Sequence, residues 1–100
     1  MSDIRVTFND AESRYEIFSN DALAGFAGVA REPGRVRFTH TVVDPAFRGQ
    51  GIAGKLADFA LNDAVKSGDV IVPECPYIQK YVRENEIAGA TYSWPDDSAD

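Results

Sequence analysis

One hundred residues suffice for a single domain with its own core, and 44% hydrophobic with 11% aromatic residues is an ordinary globular composition. A net charge of −6 argues against a nucleic-acid-binding face, which needs clustered cations, and favours a cationic amine as ligand. A single cysteine excludes an intrachain disulfide. Met1 to Val6 forms no apolar leader, and no stretch reaches membrane-spanning length, so a cytoplasmic protein, monomeric or weakly dimeric, is expected.

Ile4 to Phe8 and Arg14 to Phe18 each alternate apolar with polar residues, the period of a half-buried strand. Turn residues at Asn9–Glu12 and Ser19–Asp21 separate them from each other and from a Gly/Ala-rich third strand, Leu23 to Ala30. Pro33-Gly34 marks the next turn. Arg35 to Val43 then reads as the longest strand, with Val36, Phe38, His40 and Val42 on one face. Short turns between these four runs predict an antiparallel meander.

A helix is predicted from about Gly51 to Ser67, stopped by Gly68. Ile52, Leu56, Phe59, Ala60 and Asp63 fall on the arc expected to meet the sheet, while Leu61 and Val65 form a second apolar patch, either covered elsewhere or a contact surface. Asp69 to Val72 suits a buried strand, and a right-handed crossover places it parallel to the fourth. Pro76 opens a short second helix ending near Glu84. The fold class expected is therefore mixed α+β: a four-stranded meander, a helix, a parallel fifth strand and a short helix. The domain spans residues 1–93, and 94–100 is read as an acidic tail.

Chemistry should concentrate between the fourth strand and the first helix. Gly49, Gly51 and Gly54 surround a helix start, where unpaired N–H groups and the helix dipole favour an anion, and Arg48 and Lys55 stand beside them. Three phosphate-binding patterns compete for these residues. A P-loop needs Ser or Thr after Lys55, but Leu56 stands there. The dinucleotide fingerprint needs its first Gly directly after the strand, and the loop Asp44 to Arg48 intervenes. Both patterns also need more βα units than this chain can hold.

The third pattern, Arg48-x-x-Gly51-x-Ala53, resembles the Q/R-x-x-G-x-G/A signature of the GNAT superfamily of N-acetyltransferases. His40-Thr41 upstream, with Cys75-Pro76-Tyr77 and Tyr81 downstream, resembles a minimal single-domain branch of that superfamily. The resemblance implies acetyl-coenzyme A as cofactor and an unidentified amine, small molecule or peptide, as acceptor. It implies that Thr41, Val42 and Val43 line the pantetheine arm. Arg48, Gly49, Gln50, Gly51, Ile52 and Ala53 would cradle the pyrophosphate, with Gly54 and Lys55 beside it. It also implies Tyr81 as proton donor to the leaving thiolate.

His40 and Glu74 are the candidate bases for the amine proton. Cys75 either lines the pocket or accepts the acetyl group as a nucleophile. The chain lacks the two helices that larger relatives insert after their first strand, Asn85-Glu86-Ile87 departs from the branch's common H-P-E, and Ala30 stands where an aromatic is frequent. A non-catalytic coenzyme-A-binding module is the alternative reading.

Overall fold

Alternating apolar residues build β1 (Ile4–Asn9) and β2 (Arg14–Ser19), whose antiparallel register pairs Val6 with Ile17 and Phe8 with Tyr15. The computed structural model describes residues 3–95, so most of the expected acidic tail, residues 96–100, lies outside the described residues. Trp94, at the start of that tail, packs on Tyr92 and on the Arg83 guanidinium, 4.8 Å from its ring. Asn20 and Asp21 both take positive φ, 50° and 71°, which lets a two-residue hairpin follow the strand twist into β3 (Ala22–Glu32). β3 has 11 residues against nine in β4 (Arg35–Val43), so it, not the fourth strand, is the longest.

A 3-10 turn, Pro45–Phe47, leads to α1 (Ile52–Lys66), β5 (Val70–Pro73) and α2 (Pro76–Glu84). The sheet runs β1-β2-β3-β4-β5, antiparallel except for the parallel β4–β5 pair, as expected of the crossover. Ile71 N–H donates to Thr91 O at 2.8 Å and Ser93 N–H to Ile71 O at 2.9 Å, so the C-terminal segment covers the edge of β5. No helix among the described residues is long and apolar enough to cross a membrane.

Tyr15, Ile17, Ala27 and Phe38 from the sheet meet Ile52, Leu56 and Ala60 from α1 in one buried cluster. Full burial of one such leucine is worth ~1.5–3 kcal/mol. Phe59, expected on the arc that meets the sheet, is instead 44% exposed, and Leu61 of the second patch is wholly buried. The patch at Leu61 and Val65 is covered by the chain after α2, where Ile87 joins the core and Gly89 lies against Val65. α2 packs beside α1, with Tyr77 and Tyr81 over Gly54. Both helices therefore cover one face of the sheet. Among the described residues the other face, carrying Arg14, Glu16, Phe26, His40 and Val42, has no helix upon it.

Candidate functional site

The site begins where β4 and β5 part. Their pairing ends at Phe38 with Pro73, and Phe38 O then accepts two N–H bonds, from Glu74 at 3.0 Å and Cys75 at 2.9 Å. β4 continues five residues beyond that rung. Asp44 N–H donates to Ala24 O at 2.8 Å, toward β3. Backbone groups alternate in direction along a strand, so those of Thr41 and Val43 point the other way, into the gap.

A bulge decides which side chains accompany them. Val29 pairs with Phe38 but Gly28 pairs with His40, leaving Thr39 as the extra residue, its Oγ1 donating to Gly28 O at 3.2 Å. The bulge exchanges the two faces of β4. Val36 and Phe38 are buried, yet His40 and Val42 emerge on the open face, so the single apolar row expected from alternation is broken. His40 lies edge-on to Phe26, with ring centroids 5.7 Å apart, and its imidazole occupies the space a side chain at Gly28 would need. Thr41 and Val43 turn instead toward the helices. Glu74 is held in a bidentate pair with Arg37, at 2.8 and 3.3 Å, which ties up both oxygens of this candidate base.

Past β4, Asp44 accepts from Ala46 N–H at 2.9 Å and fixes the 3-10 turn. Gly49 and Gly51 then take φ of 84° and 72°, values that L side chains rarely adopt. Gly51 is the N-cap of α1, so the helix begins one residue after the expected start, and no side-chain hydrogen bond caps its first turn. The first intrahelical bond of the turn runs from Lys55 N–H to Gly51 O, which leaves the amides of Ile52, Ala53 and Gly54 directed outward. Arg48, Gly49, Gly51 to Gly54 and Val43 line a concavity of about 310 Å³, with Tyr77 as its wall. Lys55 folds back so that Nζ donates to Gln50 O at 3.3 Å.

Cys75 caps α2 and is 97% buried, its Sγ 3.4 Å from Thr41 Oγ1. Tyr77 and Tyr81 follow one turn apart, with ring centroids 6.1 Å from each other. Burial raises the proton affinity of both phenols. Tyr81 and Cys75 add to the effect at Tyr77, and Asp58 adds to it at Tyr81. Tyr77, rather than Tyr81, lines the concavity; its place directly after Cys75-Pro76 was the available signal. The structure thus gathers Thr41, Val43, Arg48 to Lys55, Cys75 and the two tyrosines on one side, and sets His40 and Val42 on the other.

A family profile described as GCN5-related N-acetyl-transferase matches residues 14–92, from the start of β2 to the bridge beyond α2. The chain belongs to this family. It is similar to Protein NATD1 of Xenopus tropicalis, 46% identical over 52 residues, covering 52% of this chain and 48% of that protein. Protein NATD1 of Homo sapiens is likewise 46% identical over 52 residues, with 46% of its length covered. The matches therefore span about half the length of these relatives.

Acetyl-coenzyme A is the general acyl donor of GCN5-related N-acetyl-transferases, and the residues present fit it. A Cβ placed on Gly49 would meet nothing within 4 Å, and one on Gly51 would meet only Lys55 Nζ at 3.5 Å. The space before the three outward amides is therefore open, as a phosphate on a helix start requires.

Proposed function

We propose that the chain is an acetyl-coenzyme-A-dependent N-acetyltransferase whose amine acceptor attacks directly, without an acetylated cysteine. One observation carries the reading: outward amides behind two left-handed glycines open into a concavity bordered by Val43, the last residue of the stretch of β4 that runs on beyond its pairing with β5. The amides of Ile52, Ala53 and Gly54 would hold the pyrophosphate, with Arg48 beside them, and Thr41 and Val43 would present backbone groups to the pantetheine arm. When bound, acetyl-coenzyme A supplies a thioester carbonyl: the C–N bond to a neutral amine forms, the C–S bond breaks, and one proton passes overall from nitrogen to sulfur.

The chain's own residues are suited to guiding that exchange. Cys75 is packed against Thr41, which suits a lining role better than attack. Tyr77 and Tyr81 are protonated at neutral pH, as phenols with an ordinary value of ~10 are, and burial raises that value further, so either can donate to developing negative charge on sulfur.

A non-catalytic coenzyme-A-binding module is favoured by one observation, the placement of His40 and Thr41 on opposite faces of the sheet. Thiol release from acetyl-coenzyme A across a panel of amines, polyamines and peptides separates the two. Turnover with any member supports the transferase. Binding of acetyl-coenzyme A without thiol release from the whole panel supports the module.

A further inference from the structure

The uncovered face of the sheet carries a second concavity, of about 310 Å³, that the proposed cofactor site does not use. Leu23, Phe26, Val42 and Pro45 line it together with Ala24, Gly25, Val43 and Asp44. Leu23 and Val42 are 40% and 45% exposed, so two of the large exposed apolar side chains converge on one hollow. Its volume lies at the lower end of the range for small-molecule sites.

The hollow has a braced wall. Phe26 is held on one side by the Arg14 guanidinium, 4.1 Å from its ring, and touches His40 on the other. Arg14 is fixed in turn by Glu16 at 2.8 Å, and Glu16 is 92% buried with Asn9 as a further donor at 3.1 Å. The lining includes one carboxylate, Asp44, and no cation. It admits a positively charged ligand and opposes an anionic one. Val43 lines both this hollow and the proposed cofactor concavity, so the two meet across the end of β4. His40 precedes Val42 by two residues on the same face, about 7 Å nearer to the point where β4 and β5 part.

We infer that this hollow is the acceptor subsite, and that the acceptor is a small primary amine with an apolar body. The body occupies the space between Leu23, Phe26 and Val42, and a short arm carries the nitrogen past His40 toward the gap. This rests on the transferase reading for the group transferred, but not for the binding itself.

The test uses the full chain and 2-phenylethylamine, with ethylamine and L-phenylalanine as the apolar-poor and carboxylate-bearing comparisons. Without cofactor, 2-phenylethylamine should shift amide resonances of Leu23 to Phe26 and Val42 to Asp44 in a two-dimensional NMR titration. In the thiol-release assay its kcat/KM should exceed that of either comparison at least tenfold. Leu23→Glu should remove this advantage while leaving the calorimetric affinity for acetyl-coenzyme A unchanged, and Leu23→Ser, a milder change, should reduce it in part. Absence of amide shifts at these strands overturns the subsite, as does equal kcat/KM for the three amines. Failure of acetyl-coenzyme A to bind overturns the transferase reading alone, because the titration is made without it.

Discussion

The two ends of the sheet treat their polar groups in opposite ways. At the end holding Glu32 and Arg35, side chains satisfy one another: Tyr15 donates to Asp63 at 2.6 Å, Arg31 donates to Tyr15 at 2.9 Å, and Arg37 joins Glu32 to Glu74. At the other end β4 runs past its partner, two glycines adopt left-handed φ, and the first amides of α1 face outward. The first arrangement favours a single stable packing; the second leaves donors aimed at space a ligand can fill. Substitutions at the first end should change stability without changing cofactor affinity, and those at the second should do the reverse.

The largest stability effect should come from the core beneath both ends. Leu56→Ala removes a fully buried side chain and should cost ~2–5 kcal/mol in urea unfolding. A loss under 1 kcal/mol would mean that α1 does not pack on the sheet as described.

Tyr15→Phe sharpens the comparison, since it deletes one hydroxyl from the partnered end. It should cost about 1 kcal/mol and leave acetyl-coenzyme A binding intact. Burial, followed by the Asp63 hydrogen bond, raises the proton affinity of Tyr15 in the folded state. Its contribution to stability is therefore whole below the unfolded value of ~10 and is lost as pH rises beyond it toward the folded value. Unfolding followed from pH 8 to about 12 should show that alkaline decline, and Tyr15→Phe should flatten it.

Much of this plan was legible in the residues. The alternation in Ile4 to Phe8 and Arg14 to Phe18, the turn at Pro33-Gly34, and Pro76 at the start of α2 each set local geometry by short-range sterics. The glycine-rich helix start was legible for the same reason. What escaped was set by distant partners. The extra residue at Thr39 exists only relative to Gly28 and Val29 of β3, so alternation within β4 could not disclose that His40 and Val42 change sides. What covers the patch at Leu61 and Val65 was not legible, because Gly89, which lies against Val65, belongs to a segment without regular period. The sequence shows Tyr77 only as the third residue of Cys75-Pro76-Tyr77, and the close approach of α2 to Gly54 is what makes it a wall of the concavity.

Smaller effects probe the border between the ends. Cys75→Ala should keep thiol release within about twofold of wild type, because the thiol is packed against Thr41 rather than presented for attack. Alkylation of Cys75 by iodoacetamide should slow further in saturating acetyl-coenzyme A; an unchanged rate would remove it from the site. An acetyl adduct on the protein by intact mass, lost in Cys75→Ser, would contradict direct attack.

The smallest effect should be at Glu32, whose carboxyl is held below its usual range by hydrogen bonds first from Arg35 and then from Arg37. A depressed value contributes stability above the unfolded value of ~4.3, and that contribution is lost as pH falls through the folded value. Glu32→Gln should make the acid limb of the stability profile slightly shallower, with no effect on ligand affinity.

The amide cradle is tested most directly by calorimetric titration of acetyl-coenzyme A into wild type, Gly51→Val and Lys55→Ala. Wild type should bind saturably. Gly51→Val puts a β-branched side chain at φ 72° in front of the outward amides, and should lose at least about tenfold in affinity while remaining folded. Lys55→Ala removes an exposed, screened charge and should lose no more than about threefold. Absence of binding to wild type at millimolar ligand, or equal losses in two folded variants, would contradict the cradle.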